Sequence, residues 1–358
     1  MKDGGRAGAP AHDRPVFRSG LVTIVGRTNV GKSTLLNRLV GRKVAIMSEK
    51  PQTTRNRIVG VVNREAAQIV FIDTPGIHRP RHRLGEYMVG AALGALEEVE
   101  AVLFVVEAPE APGPGDRFVA ERLEKLKTPI ILVVNKADLC PGELTRTNLA
   151  AYRELGEFAA CLVISAVKDE TFELLLRTIE SVLPEGPHYY PEGMDTDQPE
   201  AFVIAELVRE KVLALTREEV PHSVAVAVEE MRAGGARVET LADAERRRPR
   251  DEAGSLGGGL GTGGADVFGG ADSGFEDAPA RPDLLYTRAV IYVERESQKG
   301  ILIGAKGSML KEIGRLAREE MEALFGNKVY LELRVKVERD WRDRAPILRA
   351  LGYTLPRD

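Results

Sequence analysis

Short apolar runs alternate with longer amphipathic stretches through the first half of the chain. The runs are LVTIV at 21–25, QIVFID at 68–73, AVLFVVE at 101–107, PIILVVN at 129–135 and CLVIS at 161–165. Continuous apolar runs of this length are typical of strands that are buried on both faces of a parallel sheet. The stretches between them, including Lys32–Val40 and 116–126, show helical periodicity. The pattern therefore predicts an α/β domain over residues 19–184, with a mostly parallel sheet flanked by helices.

A second unit follows a change in this pattern near Leu183. The stretch PEGPHYYPEGMDTDQPE at 184–200 contains four prolines, which exclude regular structure and indicate a linker over residues 185–200. Beyond it, AFVIAELVREKVLAL fits a helix, while SVAVAVEEM at 223–231 and LYTRAVIYVER at 285–295 read as strands. We expect these two strands to pair, which predicts an α+β domain over residues 201–356.

Two stretches carry too few apolar residues to belong to either core. Residues 1–18 are rich in Gly, Ala and Pro, and residues 232–283 are glycine-rich and poor in aromatic side chains. Both are predicted to be disordered, because they bury too little apolar surface to offset the entropy lost on ordering. The second stretch is then a long hairpin loop, which is tolerated because closure entropy grows slowly with length. Its RRRPR run at 246–250 is interpreted as a solvated charge run in preference to an RNA contact.

Composition narrows the class of protein further. A chain of 358 residues suits two domains, and its net charge of −4 excludes a generally basic nucleic-acid-binding protein, so any such surface must be local. Cys140 and Cys161 lack metal-ligand spacing and are predicted to be free thiols in a reducing compartment. No apolar run approaches the roughly 20 residues of a membrane helix. The N-terminus lacks the apolar core of a signal peptide, so a cytoplasmic location is expected.

The stretch GRTNVGKS at 26–33 matches a phosphate-binding loop in both pattern and context. It follows the strand predicted at 21–25 and opens the helix predicted from Lys32. Glycines let backbone N–H groups surround phosphates at a helix N-terminus. Lys32 would reach the β- and γ-phosphates, and the Ser33 hydroxyl would bind Mg²⁺. The predicted nucleotide contacts in this loop are Gly26, Arg27, Thr28, Asn29, Val30, Gly31, Lys32, Ser33 and Thr34.

Three further motifs favour GTP over ATP. In DTPG at 73–76, Asp73 would hold the metal through a water molecule, and the Gly76 N–H would contact the γ-phosphate. In NKAD at 135–138, Asp138 would accept hydrogen bonds from the N1–H and 2-amino group of guanine, donors that adenine lacks. SA at 165–166 adds a backbone N–H for the guanine carbonyl, and all these motifs end strands of one sheet, where α/β sheets bind ligands. The predicted contacts from these motifs are Asp73, Thr74, Pro75, Gly76, Ile77, Asn135, Lys136, Asp138, Ser165 and Ala166.

Two positions bear on hydrolysis. A threonine between the first two motifs normally completes the Mg²⁺ shell when GTP is bound and releases it after hydrolysis. Thr54 is the first choice for this role and Thr53 is the alternative, so the predicted metal ligands are Ser33, Thr54 and Asp73. The residue after the DTPG glycine, which in Ras-like proteins is the glutamine that orients water, is Ile77 here. Because Ile77 can neither donate nor accept a hydrogen bond, unaided hydrolysis is expected to be slow.

The second glycine loop, GAKG at 304–307, lacks the GK[ST] ending of a nucleotide loop. Its helix–GxxG–helix setting fits a KH module, whose loop holds single-stranded RNA by the backbone. The next helix has an apolar stripe through Ile313 and a separate basic stripe. From Leu284 onward, 15 Lys and Arg stand against 11 Asp and Glu, a local charge of +4. The predicted RNA contacts are Ile303, Gly304, Ala305, Lys306, Gly307, Lys311, Arg315 and Arg318.

Together these motifs resemble the bacterial Era family of TrmE-Era-EngA-type GTPases, in which a GTPase domain precedes a type II KH domain. The matching stretches include GRTNVGKSTLLN, PQTTRNRIVG, FIDTPGIH, NKAD, AELVREK and VERESQKGILIGAKGSMLKEIG. The resemblance implies a GTP-hydrolysing switch that binds the 3′ end of 16S rRNA and assists assembly of the small (30S) ribosomal subunit. Some members of the family also associate peripherally with the inner membrane, and a monomer is expected.

The resemblance also bears on catalysis. In related GTPases with a hydrophobic residue at the position of Ile77, the asparagine matching Asn29 helps to hold a K⁺ ion. The catalytic set is therefore expected to be Asn29, Lys32, Thr54 and Gly76. The chain departs from the family at Thr28, where a proline is usual, and at residues 232–283, which replace a short hairpin.

Two other functions fit some of the same residues. A GTPase whose KH-like unit binds a protein would not show RNA affinity that falls steeply with salt. A membrane-stress signalling GTPase would partition to membranes according to its nucleotide and would not sediment with ribosomes. His78 and His82 have a metal-like i, i+4 spacing, but no third ligand accompanies them, so they are interpreted as solvent or switch residues.

Overall fold

The computed structural model describes residues 16–77, 80, 82–168, 171–234, 236–238 and 283–353. The strands of the first sheet are β1 Arg18–Val25, β2 Ile58–Asn63, β3 Ala67–Asp73, β4 Ala101–Glu107, β5 Ile130–Asn135 and β6 Ala160–Val163. Within the described residues their order is β2-β3-β1-β4-β5-β6, and each neighbouring pair is parallel except β2 with β3. The predicted mostly parallel sheet is confirmed, since every predicted apolar run overlaps one of these strands.

Helices cover both faces of this sheet. They are α1 Lys32–Val40, α2 Arg83–Gly94, α3 Pro114–Leu123, α4 Gly142–Arg153 and α5 Phe172–Val182. Successive side chains of a strand point to opposite faces, so β4 directs Leu103 and Val105 towards α1 and α5 and directs Phe104 towards α3 and α4. All three side chains are fully buried. Burial on both faces explains why these strands are continuous apolar runs rather than alternating ones.

The linker follows the edge of the first sheet. The Gln68 side-chain oxygen accepts hydrogen bonds from the N–H groups of Tyr189 (2.7 Å) and Tyr190 (3.0 Å). The Val61 N–H in β2 donates to the Asp195 carbonyl at 2.8 Å. Residues 185–199 contain neither a helix nor a paired strand of more than one residue, as their prolines predict. The linker is therefore irregular in conformation but held along its length.

The predicted disorder of residues 1–18 is wrong at its C-terminal end. Arg18 begins β1 and lies opposite Ala67, and the Phe17 ring stacks on His188 at 4.2 Å. The partner that fixes this segment is the distant linker, which local composition does not reveal. Residues 1–15 lie outside the described part of the chain.

Within the described residues, the second domain is a four-stranded sheet with its three longest helices against one face and its last helix against the other. Its elements are α6 Glu200–Leu215, α7 Val220–Ser223, β7 Ala225–Ala233, β8 Ala236–Val238, β9 Leu284–Val293, α8 Glu296–Ile303, α9 Ser308–Phe325, β10 Lys328–Val337 and α10 Ala345–Ala350. The strand order is β10-β9-β7-β8, with β10 parallel and β7 antiparallel to β9. The expected pairing of the strands on either side of the glycine-rich stretch is confirmed.

Two predicted boundaries in this domain are wrong. Ser223 ends the short helix α7 instead of starting a strand, and its side chain donates to the carbonyl of Glu219 at 3.0 Å. The glycine-rich stretch was predicted to begin at residue 232, yet Arg232 and Ala233 belong to β7 and pair with β9. Residues 236–238 form β8 against β7. Residues 239–282, including the RRRPR run, lie outside the described residues.

The two domains share a small apolar core. Leu84, Tyr87 and Met88 of α2 pack with Trp341 and Tyr353 from the C-terminal part of the second domain. Trp341 is fully buried at this contact. No helix among the described residues is long and apolar enough to cross a membrane.

Candidate functional site

The first glycine loop leaves β1 at Gly26 and enters α1 at Lys32. Gly31, at the N-terminus of α1, has φ +97°, a conformation that side chains disfavour. A Cβ on Gly26 would lie 2.3 Å from the Val105 carbonyl oxygen, and one on Gly31 would lie 2.4 Å from Asn135 Nδ2. Both positions therefore require glycine, and the loop presents its N–H groups at a helix N-terminus as predicted.

Lys32 is buried beneath this loop. Its ammonium donates to the carbonyls of Gly26 (3.1 Å) and Arg27 (2.6 Å). Burial lowers the pKa of Lys32 to about 8, and the nearby Asp73 carboxylate offsets only part of that shift. A phosphate group beside Lys32 would supply the negative charge that this site lacks. The cavity at the loop measures about 610 Å³ and is lined by both the loop and residues 46–54.

The three side chains predicted to bind the metal converge next to Lys32. Ser33 Oγ lies 2.8 Å from Thr54 Oγ1 and 2.6 Å from Asp73 Oδ2, and Thr54 Oγ1 lies 3.3 Å from the same carboxylate oxygen. The second oxygen of Asp73 is buried and has no hydrogen-bond partner, and burial raises the pKa of this carboxyl. Hydroxyl and carboxylate oxygens are the donors that Mg²⁺ prefers, so this set fits the ion.

The structure separates the two candidate threonines. Thr53 Oγ1 donates to the Lys50 carbonyl at 2.6 Å, so it is engaged within its own turn. Thr54, only 5% exposed, is the residue whose hydroxyl meets Ser33 and Asp73. The geometry favours Thr54 as the third ligand.

The guanine motifs meet at the ends of β5 and β6. Asn135 Nδ2 donates to the Val30 carbonyl at 2.9 Å, and its Oδ1 accepts from the Ala166 N–H at 2.9 Å, so one side chain joins two motifs. Lys136 Nζ donates to the Asn29 carbonyl at 2.8 Å and is ion-paired with Glu107. Asp138 Oδ1 accepts from Ser165 Oγ at 2.5 Å. The carboxylate predicted to read guanine is thus fixed in direction.

The side chain of Arg27 leaves the nucleotide loop. Its guanidinium points away from the loop and pairs with the buried Asp116 of α3 at 2.9 Å and with the exposed Glu110, which precedes that helix, at 2.8 Å. Asp116 also accepts the Gly113 N–H at 3.0 Å, so it caps α3 while holding Arg27. Sequence reasoning missed both acids, because 89 residues separate Arg27 from Asp116. An acid in the first turn of a helix was the available signal, but it does not name its partner.

Replacing Asp116 by asparagine should weaken GDP binding by about 3- to 10-fold, the range expected when a charge-assisted hydrogen bond that fixes the loop becomes a neutral one. Glu110→Gln is the matched control, because it removes the exposed partner of the same arginine and should change affinity less than twofold. Displacement of a fluorescent GDP measures both. Equal losses in the two variants would contradict a special role for the buried pair.

Asn29 and Gly76 line the cavity, and Ile77 follows Gly76 in the chain. Asn29 has φ +67°, and its side-chain amide donates to the Glu49 carbonyl at 2.8 Å. A Cβ on Gly76 would lie 2.6 Å from Thr28 Cγ2 and 2.8 Å from the Thr28 N. Ile77 is 3% exposed and packs into the core beside β4. Its side chain is therefore directed into the core.

The second glycine loop connects α8 to α9. Gly304 and Gly307 have φ +68° and +79°, and Lys306 between them has φ +52° and is exposed at the tip. A Cβ on Gly304 would lie 2.8 Å from Met309 Cβ, whereas one on Gly307 would meet nothing within 4 Å. The loop therefore has a tight inner side and an open outer side, and the open side allows a backbone to approach.

The basic stripe on α9 is less positive than its sequence predicts. Lys311, Arg315 and Arg318 are all exposed on this helix. Arg315, however, pairs with Glu312 at 2.6 Å and with Glu319 at 2.7 Å, and its hydrogen bonds to these carboxylates raise its pKa. The apolar stripe is confirmed, since Ile313 and nearby apolar side chains pack into the second core.

The weaker candidate sites gain no further ligands. His82 lies 3.4 Å from Asp343, while His78 lies outside the described residues. Among the residues that the structure describes, no group of three or more His, Cys, Asp or Glu side chains could hold a metal ion. Cys140 and Cys161 are free and half-buried, as expected.

Comparisons with known protein families match both halves of the chain. A family described as 50S ribosome-binding GTPase matches residues 21–136, and the KH domain family matches residues 281–342. GTPase Era of Heliobacterium modesticaldum is 46% identical over 337 residues, which cover 94% of this chain and 97% of that protein. GTPase Era of Carboxydothermus hydrogenoformans is 46% identical over 338 residues, with 94% and 98% covered.

Solved structures agree with these relatives. A variant of Aquifex aeolicus Era bound to GDP·AlF4⁻ is 39% identical, with a TM-score of 0.80 and coverage of 95% of this chain and 100% of that one. A structure of Era in complex with MgGDPNP and nucleotides 1506–1542 of 16S ribosomal RNA gives the same identity, TM-score and coverage. The likeness thus spans both domains and their relative placement.

Proposed function

Because the chain belongs to the GTPase Era family of GTP-hydrolysing enzymes, we propose that it binds the 3′ end of 16S rRNA through its second domain and assists assembly of the 30S subunit. The observation that carries this proposal is the presence of two open glycine loops, each at the start of a helix, in domains joined by one apolar core. One loop suits nucleotide phosphates and the other suits an RNA backbone. The domain boundaries proposed from the sequence, 19–184 and 201–356, separate the two loops.

At the first loop, we assign the residues as follows. The N–H groups between Gly26 and Ser33 bind the phosphates, and Lys32 neutralises the β- and γ-phosphates. Ser33, Thr54 and Asp73 hold Mg²⁺, which when bound screens the charge on the phosphates. Asp138 accepts hydrogen bonds from guanine, and a backbone N–H of the Ser165-Ala166 pair donates to its carbonyl. The Gly76 N–H donates to the γ-phosphate, so its position depends on which nucleotide is bound.

A potassium ion is part of this proposal. Ile77 cannot orient water, so hydrolysis must rely on another group. A K⁺ ion would help by supplying positive charge near the β–γ bridge. Asn29 already meets a carbonyl of residues 46–54 beside the cavity, which supports it as one ligand for the ion. Turnover is expected to fall several-fold when K⁺ is replaced by Na⁺ at equal ionic strength. Unchanged turnover, measured by phosphate release, would remove K⁺ from the proposal.

At the second loop, the RNA backbone passes over the open side of Gly307, and Lys306 meets phosphate. Lys311 and Arg318 extend the contact along α9, while Arg315 contributes less because two glutamates share its charge. Ile303 precedes the loop and is partly exposed, so it offers apolar contact to a base. Phosphate contacts of this kind weaken with added salt.

The function is tested by binding a labelled oligonucleotide from the 3′ end of 16S rRNA at several salt concentrations, with a GTP analogue or with GDP. We expect tight, salt-sensitive binding that is weaker with GDP. Binding that depends on neither salt nor nucleotide would refute the proposed RNA role but not the GTPase activity. Two companion assays test the rival functions. Capture of a protein partner without RNA would support a protein-binding GTPase. Nucleotide-dependent binding to vesicles would support a membrane-signalling GTPase in place of the expected cytoplasmic location.

A further inference from the structure

The residue proposed as the third Mg²⁺ ligand lies between two residues that the second domain holds. On one side of Thr54, the guanidinium of Arg209 in α6 donates to the Thr53 carbonyl. On the other side, the Arg55 guanidinium donates to the Val224 carbonyl at 2.6 Å. Both arginine residues are 1% exposed. The three-residue segment that carries the Thr54 hydroxyl is therefore fixed at both ends by the second domain.

Both arginine side chains are themselves held by neighbouring groups. Arg209 is clamped by Glu206, one turn earlier in α6, through hydrogen bonds of 2.8 Å and 2.5 Å. Arg55 lies over the ring of Trp341 at 5.6 Å, and Trp341 Nε1 in turn donates to the Ser223 carbonyl at 2.8 Å. A bidentate interaction with a carboxylate fixes the orientation of the guanidinium, so α6 sets the position of the Thr53 carbonyl.

Helix α6 also contacts the start of the segment that leads to Thr54. Glu210, next to Arg209, accepts the Met47 N–H at 2.9 Å and pairs with Lys43 at 2.7 Å. Lys43 also pairs with Glu320 of α9. Residues 43–53 thus contact α6 at both ends, and the peptide plane between Thr53 and Thr54 carries the contact nearest to the proposed metal ligands.

We propose that Arg209 is a positioning residue for GTP hydrolysis: by holding the Thr53 carbonyl, it directs the Thr54 hydroxyl towards the Mg²⁺ site. The second domain then completes the catalytic centre of the first. Arg209 itself touches neither nucleotide nor metal. The role depends on Thr54 being an Mg²⁺ ligand, as proposed above, and on that ligand binding only when GTP is present.

Arg209→Gln tests this role with readouts that a merely structural residue would not move. We expect affinity for a non-hydrolysable GTP analogue and turnover each to fall roughly 10- to 100-fold, as for loss of one charge-assisted hydrogen bond. The Mg²⁺ concentration needed for half-maximal turnover should rise, while GDP affinity should stay within about twofold. Arg209→Lys should restore part of the loss, since an ammonium can also reach a carbonyl.

Two further variants distinguish the positioning role from a folding defect. Glu206→Gln with Arg209→Gln removes both charges together, so no carboxylate is left buried and unpaired. Arg288→Gln is the matched control, because Arg288 is a partly buried arginine of the same domain that pairs with Glu230 and Glu332. It should leave turnover unchanged. Parallel losses of GDP affinity, GTP-analogue affinity and melting temperature in both Arg209 variants would show a structural residue and overturn the proposal.

Combining Arg209→Gln with Thr54→Ala separates this inference from the proposed function. If Arg209 acts through Thr54, the double variant should be no worse than Thr54→Ala alone. Additive losses would overturn the positioning role while leaving Thr54 as a ligand. Normal GTP-analogue affinity and Mg²⁺ dependence in Thr54→Ala would instead refute the ligand assignment itself.

Discussion

Asp138→Asn is expected to lower GTP affinity by at least about 100-fold, because two hydrogen bonds from guanine to a carboxylate are lost and each is worth roughly 1.5–3 kcal/mol. The change replaces an acceptor with an amide whose donor faces the N1–H and 2-amino donors of the base. Ser165 keeps an oxygen to bond at the same place, so the fold should be unaffected. Titration with fluorescent GTP and GDP measures the loss.

Xanthosine triphosphate provides the internal control for this substitution. Its base carries a carbonyl where guanine carries the 2-amino group, so it accepts the hydrogen bond that the new amide donates. Affinity for xanthosine triphosphate should therefore rise in Asp138→Asn while affinity for GTP falls. If the affinity for both nucleotides fell equally, Asp138 would be a structural residue of the NKAD turn and not the residue that recognises the base.

Gly307→Asp is expected to reduce RNA affinity by roughly 10-fold or more while leaving GTP turnover unchanged, because it sets a negative charge where an RNA phosphate would lie. Gly307 is preferable to Gly304 for this test, since its Cβ would meet nothing within 4 Å, whereas a Cβ on Gly304 would clash with Met309. The φ of +79° is left-handed, and aspartate tolerates that region better than most side chains. The rRNA oligonucleotide assay measures the effect.

Gly326→Asp is a matched control for the loop variant. Gly326 has φ +74° and open space around its Cβ, so the same substitution meets the same backbone conformation. It follows the last residue of the 18-residue helix α9, about 27 Å from the loop by the helix rise. RNA affinity should be close to wild type in this variant. A similar loss in both variants would mean that the helix, rather than the loop, had been disturbed.

Much of the nucleotide site follows from local sequence. Gly26, Gly31, Lys32 and Ser33 act through a contiguous stretch of backbone, and the strand before it and the helix after it are visible as periodicity. The motifs containing Asp73 and Asp138 join them because parallel strands end at one edge of a sheet. The same reasoning predicted the second loop, where the left-handed glycines lie directly before α9.

Side-chain partners were predicted less well. Arg315 has the charge of an RNA contact, but its nearest neighbours along the helix are glutamates one turn away on each side, and these pair with it. That pairing was available from the spacing and outweighs a simple charge count. Arg27 belongs to the loop motif, yet its side chain is used to anchor the loop to α3.

The sequence by itself determined two domains, their order and the two phosphate-directed loops, because periodicity, glycine freedom and helix N-termini act over a few adjacent residues. Only the tertiary structure decided that Thr54 rather than Thr53 faces Asp73, and that Arg27 meets Asp116. It also brought Arg209 to Thr53 across 156 residues of chain. Hydrophobic patterning specifies which face of a helix is buried, but it does not specify which distant carbonyl or carboxylate lies beneath that face. That choice depends on how the two cores pack, which is a property of the whole chain.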